Sequence, residues 1–293
     1  MIVFGDVIDD VVVVPIGGIR PDTDTASSIH SRPGGSAANT AAWLGVLGVA
    51  VDFVGIVGQH DLARHTRLLE EVGVTAHLTA HDSLPTGTIV VIVTGEERTM
   101  LTERGANPEL DPDAVTDALL ASAAILHLTG YSLFGRHDAA PVVALIARAV
   151  AAGVTVSIDP GSNGFLLDYG VERFLSDVAG ATIVLPKLEE ARTLTGARDH
   201  RKAALALVER FPVAAVTCDR SGVAVATLGV PGVLIAAPLV VTLDPTGAGD
   251  AFSAGFLAEW LRESDAVASA RAGMRVAARA ISAVGARPPA GLE

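Results

Sequence analysis

The stretch Asp244-Pro-Thr-Gly-Ala-Gly-Asp-Ala-Phe252 carries the strongest chemical signal in the chain. Glycines at 247 and 249 let the backbone turn tightly and aim unobstructed N–H groups at one point. The helix predicted to follow adds partial positive charge there. Gly247, Ala248 and Gly249 therefore read as an anion hole. Asp250 falls in the first turn of that helix, where a carboxylate beside a bound anion is unfavourable unless it has work to do, and it is placed to accept the proton of an attacking hydroxyl. The plainer alternative is a glycine-rich turn whose Asp250 caps the helix. No Gly-Lys-Ser/Thr follows, which excludes a Walker loop, and the third glycine of a dinucleotide fingerprint is absent.

A second polar constellation lies near the N-terminus. Gly5-Asp-Val-Ile-Asp-Asp10 sets carboxylates where a first strand leaves its sheet, and Pro33-Gly-Gly-Ser-Ala-Ala-Asn39 opens a helix. Gly34 and Gly35 allow a ligand close to the backbone, and Asn39 both donates and accepts, so with Asp10 they suit a polyol. Taken singly, Asp9 or Asp10 is also a plausible solvated turn acid and Asn39 a helix-start cap. The eight histidines show no metal-ligand spacing: His60 and His65 read as surface residues, while His127 ends a strand either against the ligand or as a satisfied core residue.

Alternating β-rich and Ala/Leu-rich runs must position these residues. Strands are predicted near 2–5, 53–57, 124–128, 154–158, 182–185, 213–218 and 223–227, with helices over 37–48, 61–72, 138–152, 188–195, 200–210, 248–262 and 265–284. That pattern predicts a mainly parallel sheet covered by helices on both faces. Segments 11–31 and 86–102 break it and read as extra antiparallel strands forming a small β lid, and 239–243 reads as a strand leading into the glycine turn. Residues 1–293 read as one enzyme-sized domain with 287–293 as a plain terminus.

Composition narrows the function. A net charge of −12 with no Lys/Arg cluster argues against nucleic acid, and no long uncharged apolar run reads as a membrane span. The start lacks a secretory signal, which places the protein in the cytoplasm. The single cysteine, Cys218, excludes a disulfide framework and reads as core. Lysine occurs only at 187 and 202, which singles out Lys187 after the run 181–185.

An early Gly-x-x-x-x-Asp, then Gly-Gly-x-x-x-Asn, then Asp-x-Thr-Gly-Ala-Gly-Asp resembles the ribokinase-like (PfkB-type) carbohydrate kinase family over essentially the whole chain. Gly105-Ala-Asn107, Thr217-Cys-Asp-Arg-Ser-Gly222 and Gly285-Ala-Arg287 resemble its further landmarks. The resemblance implies a three-layer α/β/α sandwich with a β lid, ATP and Mg2+, and γ-phosphoryl transfer to a sugar or nucleoside hydroxyl. It makes Asp250 the base, Gly247, Ala248 and Gly249 the anion hole, and Asp10, Gly34, Gly35 and Asn39 the acceptor site. Lys187, Thr217, Asp219 and Gly222 would border the nucleotide, and Glu190 would organise Mg2+ through water. Asp244, Thr246 and Gly285 resemble the monovalent-cation site of some members, which adds K+.

Three departures stand out. Lys187 replaces an asparagine, Ser36-Ala37-Ala38 replaces the Lys-Gly-Ala of ribokinases proper, and Thr129 falls where ribokinase has a sugar-binding glutamate. Few aromatics favour a free sugar over a nucleoside as acceptor. A nucleoside kinase of the same family and a catalytically idle sugar-sensing relative are the other readings, and an exposed lid edge admits a lid-to-lid homodimer.

Overall fold

The structure is a computed structural model and describes residues 1–95 and 97–288. The chain runs through β1 (Ile2–Phe4), β2 (Ile8–Pro15), β3 (Ser27–Gly34), α1 (Ser36–Val46), β4 (Val51–Gly58), α2 (Leu62–Glu70), β5 (Val74–His81), β6 (Gly87–Thr94) and β7 (Glu97–Glu103). After two short 3-10 turns come α3 (Asp117–Ser122), β8 (Ile125–Thr129), α4 (Ala140–Ala151), β9 (Thr155–Asp159), α5 (Asn163–Tyr169), α6 (Val171–Asp177) and β10 (Ile183–Val184). It ends with α7 (Leu188–Thr195), α8 (His200–Leu207), β11 (Val213–Thr217), β12 (Val223–Thr227), β13 (Val230–Ile235), α9 (Ala248–Glu263) and α10 (Ala266–Ile281).

Nine strands form one sheet in the order β13-β12-β11-β10-β9-β8-β1-β4-β5, parallel except for the β11-β12-β13 edge. Its central strands are buried on both faces: β1 and β8 show no accessible position and β4 only one, as apolar runs covered on two sides require. One core holds Leu126, Leu145, Phe174 and Phe211, and the other holds Trp43, Phe53, Phe252 and Phe256. Helices α9 and α10 approach closely through glycines, for a Cβ on Gly273 would lie 2.7 Å from the Phe252 carbonyl oxygen. That contact fixes the start of α9, which carries Asp250.

The lid is a separate four-stranded sheet, β3-β2-β6-β7. Its hairpins pair antiparallel, but β2 and β6 join in parallel, so the expectation of purely antiparallel strands is corrected. The expected strand at 239–243 is also absent. Leu239, Val241 and Leu243 are exposed in an irregular loop, and apolarity there reflects a cavity wall rather than a strand. Among the described residues no helix is long and apolar enough to cross a membrane.

Candidate active site

Strands β1, β8, β9 and β11 end along one edge of the sheet, and β1 is the switch point, because the chain builds outward from it in both directions. Polar groups of parallel α/β sheets gather at such an edge. Asp6 follows β1 and accepts the N–H of Ser36 (3.0 Å) and of Ala37 (3.1 Å), so a buried carboxylate caps α1 from a distance. Gly35 is needed for that junction: its φ is +92°, and a Cβ would lie 2.6 Å from the Asp6 carbonyl oxygen.

Helix α1 thereby presents Ser36 and Asn39 to Asp250. The Ser36 hydroxyl donates to Asp250 Oδ1 at 2.7 Å, and Asn39 Nδ2 donates to Oδ2 at 2.9 Å. Burial pushes the Asp250 carboxyl up to about 6, against the two hydrogen bonds, which favour its charge. Gly247 turns into α9 with φ +77°, and a Cβ there would strike the Ala286 backbone at 2.6 Å. The Ala248 N–H folds back on the Pro245 carbonyl, while no acceptor among the described residues takes the N–H of Gly249 or Asp250. Of the expected anion-hole donors, Gly247 and Gly249 thus stay open among the described residues, Ala248 is turned back, and Asp250 adds a further open N–H.

Asp10, on β2, faces the same space. A Cβ on Gly34 would fall 2.3 Å from its carboxylate, so the first glycine of the pair makes room for Asp10 itself. Burial and the nearby charge of Asp250 push Asp10 up to about 7. Asn39 is not a free diol ligand, because its Oδ1 accepts Arg287 Nε at 3.3 Å while its amide holds Asp250. Arg287 was expected in a plain terminus, yet its Nη2 donates to the Gly34 carbonyl at 3.0 Å. Its Nη1 is buried without a partner among the described residues. Burial pulls its guanidinium down to about 10, with Asp10 acting in the opposite sense. Trp43 pins this segment by donating from Nε1 to the Ala286 carbonyl at 2.9 Å.

Asp9 points the other way, to Arg64, which grips both its oxygens, and to His65 Nε2 at 3.4 Å. Contrary to the sequence expectation, His65 is fully buried, while His60 is exposed. His127 is also buried, with Nδ1 3.1 Å from the Ser157 hydroxyl, and burial takes its pKa down to about 3, so the ring is neutral. Thr129 is buried with its hydroxyl 3.5 Å from Asp6 and supports the α1 cap.

On the other side of the α9 start lies a cavity of about 950 Å3, lined by Lys187, Thr217, Cys218, Asp219, Gly222 and Gly249, with Leu239, Val241, Met274 and Ile281 as its apolar wall. Its size, apolar wall and helix N-terminus fit a nucleotide with phosphates toward Gly249. Cys218, expected in the core, is a half-buried wall residue. Lys187 precedes α7 and lines the cavity with a solvent-accessible side chain that passes close to the start of α9, for a Cβ on Gly249 would lie 3.2 Å from its Cε. Burial opposes its charge, but Glu190, Asp159, Asp250 and Asp219 outweigh that and raise its pKa.

Glu190 is buried and accepts the Lys187 N–H at 2.8 Å, so it closes the first turn of α7. Asp159, at the end of β9, was not anticipated: it accepts the Gly161 N–H at 2.8 Å, and burial, with Glu190 beside it, raises its carboxyl. Glu190 is likewise raised by burial. Asp159 and Glu190 are two buried carboxylates near enough to feel each other and Lys187, a donor set of the kind a hydrated Mg2+ takes, since it prefers one or two carboxylates plus substrate phosphates.

Asp244, Thr246 and Gly285 do meet. Asp244 Oδ1 accepts the Thr246 N–H (3.0 Å) and hydroxyl (2.6 Å), and Oδ2 accepts the Gly285 N–H (3.0 Å). The cation among them is Arg98 of the lid, whose Nη2 reaches Asp244 Oδ1 at 3.0 Å and whose Nη1 donates to the Thr246 hydroxyl. The groups therefore do not fit a K+ ion as they stand, since a guanidinium already lies on two of them.

A family model described as pfkB family carbohydrate kinase matches residues 1–291. An ATP-dependent ribose-1-phosphate kinase of Halopiger xanaduensis is 32% identical over 262 residues, which are 84% of this chain and 80% of that protein. The bifunctional protein HldE of a Marinomonas species is 32% identical over 237 residues, 76% of this chain but 47% of that protein, so this chain spans about half of that longer relative. Among solved structures, adenosine kinase from Sinorhizobium meliloti shares 26% identity with a TM-score of 0.88, covering 99% of this chain and 96% of that one. A putative ribokinase II from E. coli, in complex with ATP and Mg2+, has a TM-score of 0.84 over 97% and 93% of the two chains; at 20% identity it bears on the fold alone. With a family model over nearly its full length and a relative of this identity and coverage, the chain belongs to the pfkB family of carbohydrate kinases.

Proposed function

We propose that this kinase, an enzyme with an alcohol group as acceptor, transfers the γ-phosphoryl group of ATP to a hydroxyl of a ribose-like sugar, with Asp250 as base. The observation that carries the reading is the two-sided start of α9. Gly249 lines the nucleotide cavity, while the Asp250 carboxylate turns to the Asp10 side, held by Ser36 and Asn39. The reacting groups would meet across one helical turn. Asp250 takes the acceptor proton, and Ser36 and Asn39 fix its orientation. The open N–H groups and Lys187 stabilise charge on the transferring group. Asp159 and Glu190 would hold Mg2+, which supplies further neutralisation of phosphate charge. Thr217, Asp219 and Gly222 border the nucleotide.

Asp10, Gly34 and the free Nη1 of Arg287 form the acceptor cradle, an acceptor of two hydroxyl protons beside a donor. The family reading takes residues 1–293 as one kinase domain with its lid, working in the cytoplasm. The exposed lid residues Ile29, Met100 and Leu101 favour a lid-to-lid homodimer, which sedimentation of the wild type and of Leu101→Glu would test. A nucleoside acceptor is the second reading, favoured by the similarity to the adenosine kinase structure. ATP turnover with ribose, ribose 1-phosphate and adenosine separates the two. Turnover with none of a broad sugar and nucleoside panel, alongside ligand binding, would support the idle sugar-sensing relative instead.

A further inference from the structure

We propose that Arg98 is the resident cation of the anion-hole loop, a lid-borne positioning residue that takes the place of an alkali metal ion and ties the lid to the phosphate site. The inference rests on phosphoryl transfer at Asp250 for its kinetic part only. Residues 244–249 form an irregular turn whose shape decides where the open N–H groups before and within the first turn of α9 point. Asp244 organises that turn with three of its own neighbours' donors, from Thr246 twice and from Gly285 once. Burial disfavours its charge, and these bonds together with Arg98 overcome the penalty and lower its pKa.

Arg98 completes the set. Its guanidinium bridges the Asp244 carboxylate and the Thr246 hydroxyl, which in turn donates to the same carboxylate oxygen, so hydroxyl, carboxylate and guanidinium form a closed ring. The pair is sheltered, with side-chain exposures of 25% for Arg98 and 16% for Asp244. A sheltered, two-pronged guanidinium contact is more directional than a point charge. An alkali ion bound at the same oxygens would lie within contact range of a fixed positive charge, and both Asp244 oxygens are already engaged. Arg98 stands on β7, beside Thr94–Val93 of β6, so the order of the loop depends on the lid strand holding its place. Residues 98 and 244 are far apart in sequence, and their contact joins the lid sheet to the loop that precedes α9.

The test compares wild type, Arg98→Ala, Arg98→Gln and Arg98→Lys in KCl, NaCl and choline chloride at matched ionic strength. Hydrogen exchange of the 246–250 amides and melting temperature are read beside turnover. Wild type is expected to give equal protection, melting and turnover in all three salts. Arg98→Ala and Arg98→Gln should lose amide protection and about tenfold or more in turnover in choline. Potassium or added guanidinium should restore part of both, and Arg98→Lys should keep more than either. Potassium-dependent protection or turnover in the wild type would overturn the proposal, as would Arg98→Gln with wild-type protection and turnover in choline. The exchange and melting arms need no acceptor, so a wrong reaction assignment would show as absent turnover with the salt pattern of the amides intact.

Discussion

At the residue scale, catalysis turns on the protonation of Asp250, which must be ionised to accept a proton. With its carboxyl pushed up to about 6, it is mostly ionised at neutral pH and a stronger base than an ordinary aspartate. kcat/KM should therefore fall below about pH 6, approaching tenfold per pH unit, and a profile flat down to about pH 4.5 would rule out this base. Asp250→Asn should cut turnover on the order of 10²–10⁴-fold with ATP binding retained, which calorimetry against an ATP analogue would show. Arg287→Gln removes the buried donor and a bond to Asn39, so the acceptor KM should rise by about tenfold or more while the ATP KM holds. Equal effects on both constants would mark Arg287 as structural. Arg287 was out of reach of sequence reasoning because its role is set by contacts with positions 34 and 39, at the other end of the chain.

At the scale of elements, the sequence was most legible where local preference and burial agree. The predicted strand at 223–227 and helix at 188–195 coincide with β12 and α7, and the glycine turn into α9 lies where Gly247 and Gly249 put it. Strands β5 and β13 were not anticipated. β5 alternates exposed and half-buried positions after Val74 at one edge of the sheet, and the sequence of β13 carries Pro231 and Gly232, so neither has the continuous apolar run of a central strand. The loop at 239–243 misled because apolar residues waiting for a ligand look like a strand. Asp6, Asp159 and Arg98 were hidden because each acts through a partner on a distant element, Asp159 through Ser253, Glu190 and Lys187. Lys187 lies between β10 and α7, at the cap of the helix and bridged to Thr217, and its ammonium balances Asp159 and Glu190. Lys187→Ala should then lower turnover by roughly tenfold or more and also lower the melting temperature, because it leaves two buried carboxylates uncompensated. Lys187→Asn should be milder in turnover. Unchanged turnover, ATP KM and melting in Lys187→Ala would make the lysine a bystander.

At the scale of the whole molecule, the cleft gathers carboxylates from both ends of the chain and from the middle, and their raised pKa values make folding depend on pH. Asp10 is pushed up to about 7 and Asp250 to about 6, with Asp159 and Glu190 raised as well, chiefly by burial. A raised carboxylate keeps its proton in the folded chain at a pH where the unfolded chain has lost it. The native state then binds more protons, and stability is greatest below the unfolded pKa and falls as pH rises through the folded one. Asp9, Asp61 and Asp244 are lowered and act in the opposite sense, but their contribution is complete above the ordinary aspartate range and leaves the interval above it to the cleft acids. Melting temperature should therefore decline from about pH 5 to about pH 7.5 in the ligand-free protein, as Asp10 and Asp250 ionise. Asp10→Asn should flatten part of that decline and stabilise the protein at neutral pH by about 1–2 kcal/mol, less than the full shift because the cleft is open to water. Mg2+ with an ATP analogue should flatten another part, since a divalent cation favours the ionised forms of Asp159 and Glu190. A melting temperature that rises between those two pH values, or an Asp10→Asn profile parallel to wild type, would show that the cleft acids titrate normally. The acceptor cradle would then have to work without a strained carboxylate.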